Sequence, residues 1–202
     1  MAQPPRRRSL AAMIDPTRFR REGDTPRLPT PQSWLIPAAT AALLAWLVAV
    51  VPPSSLAPAL AFAVWAPTLA WVDADVHRLP DALTRPATIT VAAAAIAGAV
   101  VAPDPGGHLL RTVTGAGIAA AVMFALAIVA GVGLGDVKLA IPLIASAAWH
   151  SWPTAFWAFL AGWVLNAAIV IVAHLLGRRQ SHSPLGPPLV LGWILAMSLI
   201  KL

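Results

Sequence analysis

Residues 109–136 read LLRTVTGAGIAAAVMFALAIVAGVGLGD. The part from Leu109 to Ala130 carries a single charge, Arg111, close to its start. As an α-helix it is about 33 Å long, enough to cross a hydrocarbon core of about 30 Å. It predicts a transmembrane helix, with Gly115 and Gly117 letting a neighbouring helix approach closely. Further apolar runs lie on either side: Trp34–Val51, Leu56–Val72, the alanine-rich Pro86–Ala102, Trp152–Leu176 and Pro184–Leu202. Val137–Trp149 is apolar but short, about 20 Å as helix, and it contains Pro142. It reads as a thin span, a re-entrant segment or the start of a longer bent one. The 202 residues are 58% hydrophobic and only 11% charged, against about 25% charged in a soluble domain. That leaves too little polar surface for a soluble core. The predicted fold class is all-α, a polytopic transmembrane helical bundle of about six to seven spans.

Residues 1–33 are rich in Pro and Arg and lack a hydrophobic period. They predict a disordered basic cytoplasmic tail, with 34–202 as one transmembrane domain. The net charge of +6 raises nucleic-acid binding, but Arg6, Arg7, Arg8, Arg18, Arg20, Arg21 and Arg27 all lie in the tail beside the first span. That distribution marks orientation instead. The first apolar run begins too far along the chain for a secretory signal and continues as a full span. With the N-terminus inside and Val137–Trp149 counted as a crossing, the inner segments hold those seven arginines, Arg78, Arg85, Lys138, Arg178 and Arg179. The outer segments hold Arg111 and Lys201. Twelve against two favours seven crossings. Trp34, Trp71, Trp149 and Trp152 fall where an aromatic belt is expected.

Of the eight acidic residues, Asp73, Asp75, Asp81 and Asp136 lie at membrane boundaries on one predicted side. A carboxylate there is a candidate for function; the plainer reading of Asp136 is a helix N-cap. Two crossings separate Asp73 from Asp136, which returns the chain to the same face, so the two carboxyl groups are able to meet at one depth. Two carboxyls sharing a site do not both ionise easily: one pKa rises and one falls. That suits hydrolysis, in which one carboxylate takes a proton from water and its protonated partner polarises the amide carbonyl. Asp75, two residues from Asp73, points to another side of a helix, so only one of them faces Asp136. His77 reads as solvated, and His174, near a helix end, calls for no special reading. The chain has no cysteine, so no thiolate metal site or thiol nucleophile is expected, and neither metal nor cofactor.

Gly133-Leu134-Gly135-Asp136-Val137-Lys138-Leu139 resembles the Gly-x-Gly-Asp signature of type IV prepilin peptidases, a family of membrane aspartic proteases. Asp73-Ala74-Asp75-Val76-His77-Arg78-Leu79-Pro80-Asp81-Ala82-Leu83-Thr84 resembles that family's other motif. Pro184-Leu185-Gly186-Pro187-Pro188-Leu189 is similar to its late Pro-Phe-Gly-Pro segment. The resemblance covers about residues 56 to 200. It implies that Asp73 and Asp136 are the catalytic pair and that Gly133 and Gly135 shape the backbone. Pro80 and Asp81 would shape the loop, with Asp81 able to cap the third span. Lys138 matches the motif but equally reads as a cation reaching the cytoplasmic interface. The resemblance further implies an aspartic endopeptidase in the cell (inner or plasma) membrane, its site on the cytoplasmic side. Its partner would be a prepilin or pseudopilin precursor, made of a basic leader and an apolar helix. The family's longer members carry paired cysteines associated with a methylating activity, so the resemblance extends to the peptidase alone.

A small proton- or cation-coupled transporter is the alternative from another class. It would place its carboxylates near mid-membrane, whereas Asp73 follows Trp71 at a span end. A catalytically dead assembly factor is a third reading, and both motif aspartates being intact speaks against it.

Overall fold

A computed structural model describes residues 16–20, 26–177 and 183–199. Among these there are seven α-helices and no strand: α1 Leu35–Val50, α2 Pro53–Val76, α3 Asp81–Ala99, α4 Pro105–Ala130, α5 Leu134–His150, α6 Trp152–Leu175 and α7 Gly186–Ser198. The expected all-α bundle is what forms. α2, α3, α4 and α6 are long and apolar enough to cross a membrane, while α1 and α7 are shorter and apolar. Their outward faces stay apolar: Ile89, Val113, Ile128, Val129, Phe156 and Leu175 are all exposed. A surface of that kind is at home in hydrocarbon rather than water.

Local chemistry explains most boundaries. Proline stands in the first turn of α2, α4, α6 and α7, where its missing N–H costs nothing. Asp104 caps α4 by accepting the N–H of Gly107 at 3.0 Å, and Ser151 caps α6 by accepting that of Thr154 at 3.2 Å. α4 stops at Gly131, in the left-handed region at φ 70°, where a residue without a Cβ is unstrained.

Several boundaries differ from expectation by three to five residues, the largest shifts falling at the α2–α3 connection. α2 continues past Val72 to Val76, and α3 starts at Asp81 rather than Pro86. The anticipated loop from Asp73 to Arg85 therefore shrinks to 77–80. Polarity suggested a loop there, but the polar side chains find partners at the end of the bundle, so the backbone stays helical. Val137–Trp149 is part of one unbroken helix that passes through Pro142. This helix, α5, forms the centre of the bundle, with Leu139, Leu143 and Trp149 wholly buried. It runs antiparallel to α2. At one end the Trp149 indole donates to the Ser54 carbonyl at 3.1 Å, and a His150 ring nitrogen lies 3.0 Å from the Ser55 hydroxyl. At the other end Lys138 pairs with Asp81 at the start of α3. Trp149 is thus a core residue and not part of an interfacial belt, because its N–H ties two helices together inside the protein. Trp34 and Trp152 do remain exposed.

The described part of the tail packs on the bundle. Pro16–Phe19 form a 3-10 turn, and the described tail residues converge on Asp75. The Arg20 guanidinium pairs with its carboxylate at 2.7 Å, and the backbone N–H groups of Arg27 and Leu28 donate to it at 3.1 and 2.9 Å. A buried carboxylate holding three such donors supplies the order that composition alone would not. The rest of the tail, 1–15 and 21–25, lies outside the described residues.

Candidate active site

Asp73 sits in the last turn of α2 and is buried. Its Oδ2 accepts the backbone N–H of Gly186, the first residue of α7, at 2.7 Å. Asp136 is the third residue of α5. Gly133 occupies the cap position, so the capping role does not apply to Asp136. Its Oδ1 is sealed from solvent and meets no hydrogen-bond partner among the described residues. Both carboxyl groups line one cavity of about 810 Å³. The end of α4, the start of α5 and the C-terminal half of α6 wall this cavity. α4 packs on α5, and α6 packs on α7, but α4 and α6 barely touch, so the cavity lies between helices that leave each other apart.

The neighbouring motif residues hold this end together. Gly135 abuts the 77–80 connection: a Cβ there would lie 3.0 Å from the Leu79 backbone nitrogen and 3.1 Å from its Cβ. Absence of a side chain is what lets α5 approach the α2–α3 loop. A Cβ on Gly133 would instead crowd the Asp136 carboxyl, at 3.1 Å from Oδ2. Pro80, extended at φ −71° and ψ 148°, turns the chain into α3. Asp81 opens α3 and does not cap it; its carboxylate binds Lys138 of α5 and Arg85. Lys138 therefore joins the two motifs, at a half-exposed position where solvent screens the ion pair. Neither Asp81 nor Lys138 lines the cavity.

Asp73 and Asp75 diverge as the helical spacing requires. Asp73 faces the cavity, and Asp75 faces the tail. His77 is not simply solvated: it ends α2 in the left-handed region at φ 51°, takes a contact from Arg27 at 2.8 Å and borders the cavity. His174 also borders it. Among the described residues no three His, Cys, Asp or Glu side chains are grouped as metal ligands would be.

The sequence motifs do not single out two further features of this site. One is the Gly186 N–H on Asp73; its signal was the late Gly-Pro segment, to which no role attached. The other is the polar wall formed by α6, where Trp163 and Asn166 line the cavity. Asn166 is the lone amide side chain in an otherwise apolar helix, and that isolation was its signal.

A family model for the type IV leader peptidases matches residues 60–172, more than half of the chain and spanning both aspartates. The chain belongs to the type IV leader peptidase family. It is accordingly a membrane peptidase in family and in the apolar character of its helices. No curated protein and no solved structure matched it.

Proposed function

We propose that this leader peptidase is an aspartic endopeptidase that removes the short cytoplasmic leader of prepilins or pilin-like proteins at the junction between leader and helix. The observation that carries the reading is that Asp73 and Asp136, 63 residues apart in sequence, line one cavity. One carboxylate takes a proton from a water whose oxygen adds to the scissile carbonyl carbon. The other, protonated, donates to the carbonyl oxygen. Collapse of the tetrahedral intermediate breaks the C–N bond, and the departing amine takes up a proton.

Orientation supports the same reading. The described basic residues Arg18, Arg20, Arg27, Arg78, Arg85 and Lys138 gather at the dyad end, and Arg111 lies toward the other. By the positive-inside rule the dyad end faces the cytoplasm of a multi-pass protein. A precursor whose leader is cytoplasmic and whose helix lies in the bilayer then presents its cleavage point at the depth of the dyad.

Carboxylates alone supply this chemistry. Purified protein in detergent is expected to cleave a synthetic precursor equally well with and without a metal chelator, at constant pH. Chelator-dependent loss of activity, restored by added divalent metal, would replace the two-carboxylate mechanism with a metal-assisted one.

A further inference from the structure

Beyond the dyad, the gap between α4 and α6 goes on toward the outer end of the bundle as a second recess, of about 240 Å³. Gly115, Ala119 and Val122 of α4 form one wall, Ala155, Phe156 and Phe159 of α6 the other, and Ile144 of α5 lies between them. On each wall the recess continues the helix face that borders the dyad cavity. Ala119, Val122, Leu126 and Ala130 follow one another at helical spacing on α4, as Ala155, Phe159, Trp163 and Val170 do on α6. The two recesses therefore lie along one groove, apolar at its outer end and holding Asp73 and Asp136 at the other. α4 and α6 barely touch, and Ile118, Val122 and Phe156 at the rims are exposed, so the groove is open along its side.

Depth along the groove is counted from the turn that joins α5 to α6. Asp136 and Asn166 are each fifteen residues from Ser151, so Asn166 marks the level of the dyad on α6. Phe159 and Phe156 lie seven and ten residues further toward the outer end, about 10 and 15 Å. Trp152, which also lines the recess, lies fourteen residues out, about 21 Å. A helix that starts at the carboxyl pair and runs antiparallel to α6 would have about fourteen residues in the groove. Helices in a bilayer associate through van der Waals packing, which small residues favour by letting backbones come close. Ala119 and Ala155 are buried in the groove, while Val122 and Phe156 stand exposed at its edges.

We propose that the groove between α4 and α6 is the docking site for the apolar helix of the precursor. The helix lies along the groove with its first residue at the dyad, its seventh residue near Phe159 and its tenth near Phe156. Its apolar side chains meet the apolar half of the groove, and its polar leader falls at the end that holds the carboxyl groups. Docking in this way aligns the leader–helix junction with Asp73 and Asp136. This rests on the reading of the protein as a leader peptidase, and it names the surface that holds the membrane-embedded part of the substrate.

The chain has no cysteine, so single cysteines can be placed one at a time in full-length Asp136→Asn protein, which leaves the precursor uncut. Precursors carry one cysteine each at successive positions of the apolar helix, and disulfide cross-linking in nanodiscs reads which pairs meet. Phe159→Cys is expected to cross-link best about seven residues after the junction, and Phe156→Cys about ten. Each should exceed, by about fivefold or more, the capture by Ile89→Cys, an exposed position on α3 eight residues from Asp81 at the dyad end. On the otherwise wild-type enzyme, Val122→Trp fills the groove from its edge and is expected to raise KM about tenfold with kcat within about twofold. Val113→Trp, exposed on another face of α4, should leave both unchanged. Equal capture by Ile89→Cys, a maximum that does not move between Phe159→Cys and Phe156→Cys, or a wild-type KM in Val122→Trp would overturn the proposal. A groove that holds only lipid chains gives no cross-link in register and overturns it too. A precursor captured in register but not cut by the wild-type protein would instead sink the peptidase reading alone.

Discussion

Asp73→Asn and Asp136→Asn are each expected to abolish precursor processing, by at least about 10³-fold. Asparagine keeps the shape of the side chain but neither takes up nor releases the proton, so either change removes half of the machinery. Both proteins should fold: Asp136 Oδ1 has no partner to lose, and at position 73 an amide oxygen still accepts the Gly186 N–H. Asp75→Asn is the internal control. That carboxylate is buried against Arg20 and the tail, so its neutralisation should loosen the tail while processing stays within several-fold of wild type. Processing by cells carrying each variant, measured as the fraction of precursor shortened, checks all three. An inactive Asp75→Asn beside an active Asp73→Asn would reverse the assignment within the first motif.

Gly186→Ala is expected to reduce activity about 10²-fold with little effect on helix content or thermal stability. A Cβ at that position would lie 2.7 Å from Asp73 Oδ2 and 2.9 Å from its Cβ. Neither neighbour is the free end of a long side chain, so the carboxyl group must be pushed away from its place in the cavity. Alanine in the first turn of α7 otherwise favours the helix, so the loss would come from the site rather than from the fold. The measurement is kcat/KM on a synthetic precursor together with the circular dichroism melt. Wild-type kinetics in Gly186→Ala would mean that α7 does not position Asp73.

Much of this arrangement was legible in the sequence because it depends on spacing. An even number of crossings between Asp73 and Asp136 brings them to one end, and the structure has them in one cavity. Separation of Asp73 from Asp75 follows from helical geometry alone. What escaped was whatever depends on long-range partners. Polarity at 73–85 signalled a loop, because the sequence does not reveal that Arg20, Arg27 and Leu28 return to satisfy Asp75 across about fifty residues. The tail's composition pointed to disorder for the same reason. Trp149 looked interfacial by position, yet its N–H is taken by Ser54 on α2. Gly115 was expected to let a neighbouring helix approach closely, and it does. In the structure it packs within the bundle: a Cβ there would lie 2.7 Å from that of Ala148 on α5. The cavity lies between α4 and α6, away from the alanine-rich α3. Gly186 reaches Asp73 through a contact across 113 residues, and local pattern does not record it.

Mass spectrometry of a co-expressed precursor, with wild-type protein and with Asp136→Asn, tests the central claim most directly. The account predicts a single new N-terminus at the leader–helix junction with wild-type protein, a released leader, and uncut precursor with Asp136→Asn. Processing that persists in Asp136→Asn, products beginning deep within the apolar helix, or removal of a leader placed on the outer side would contradict it.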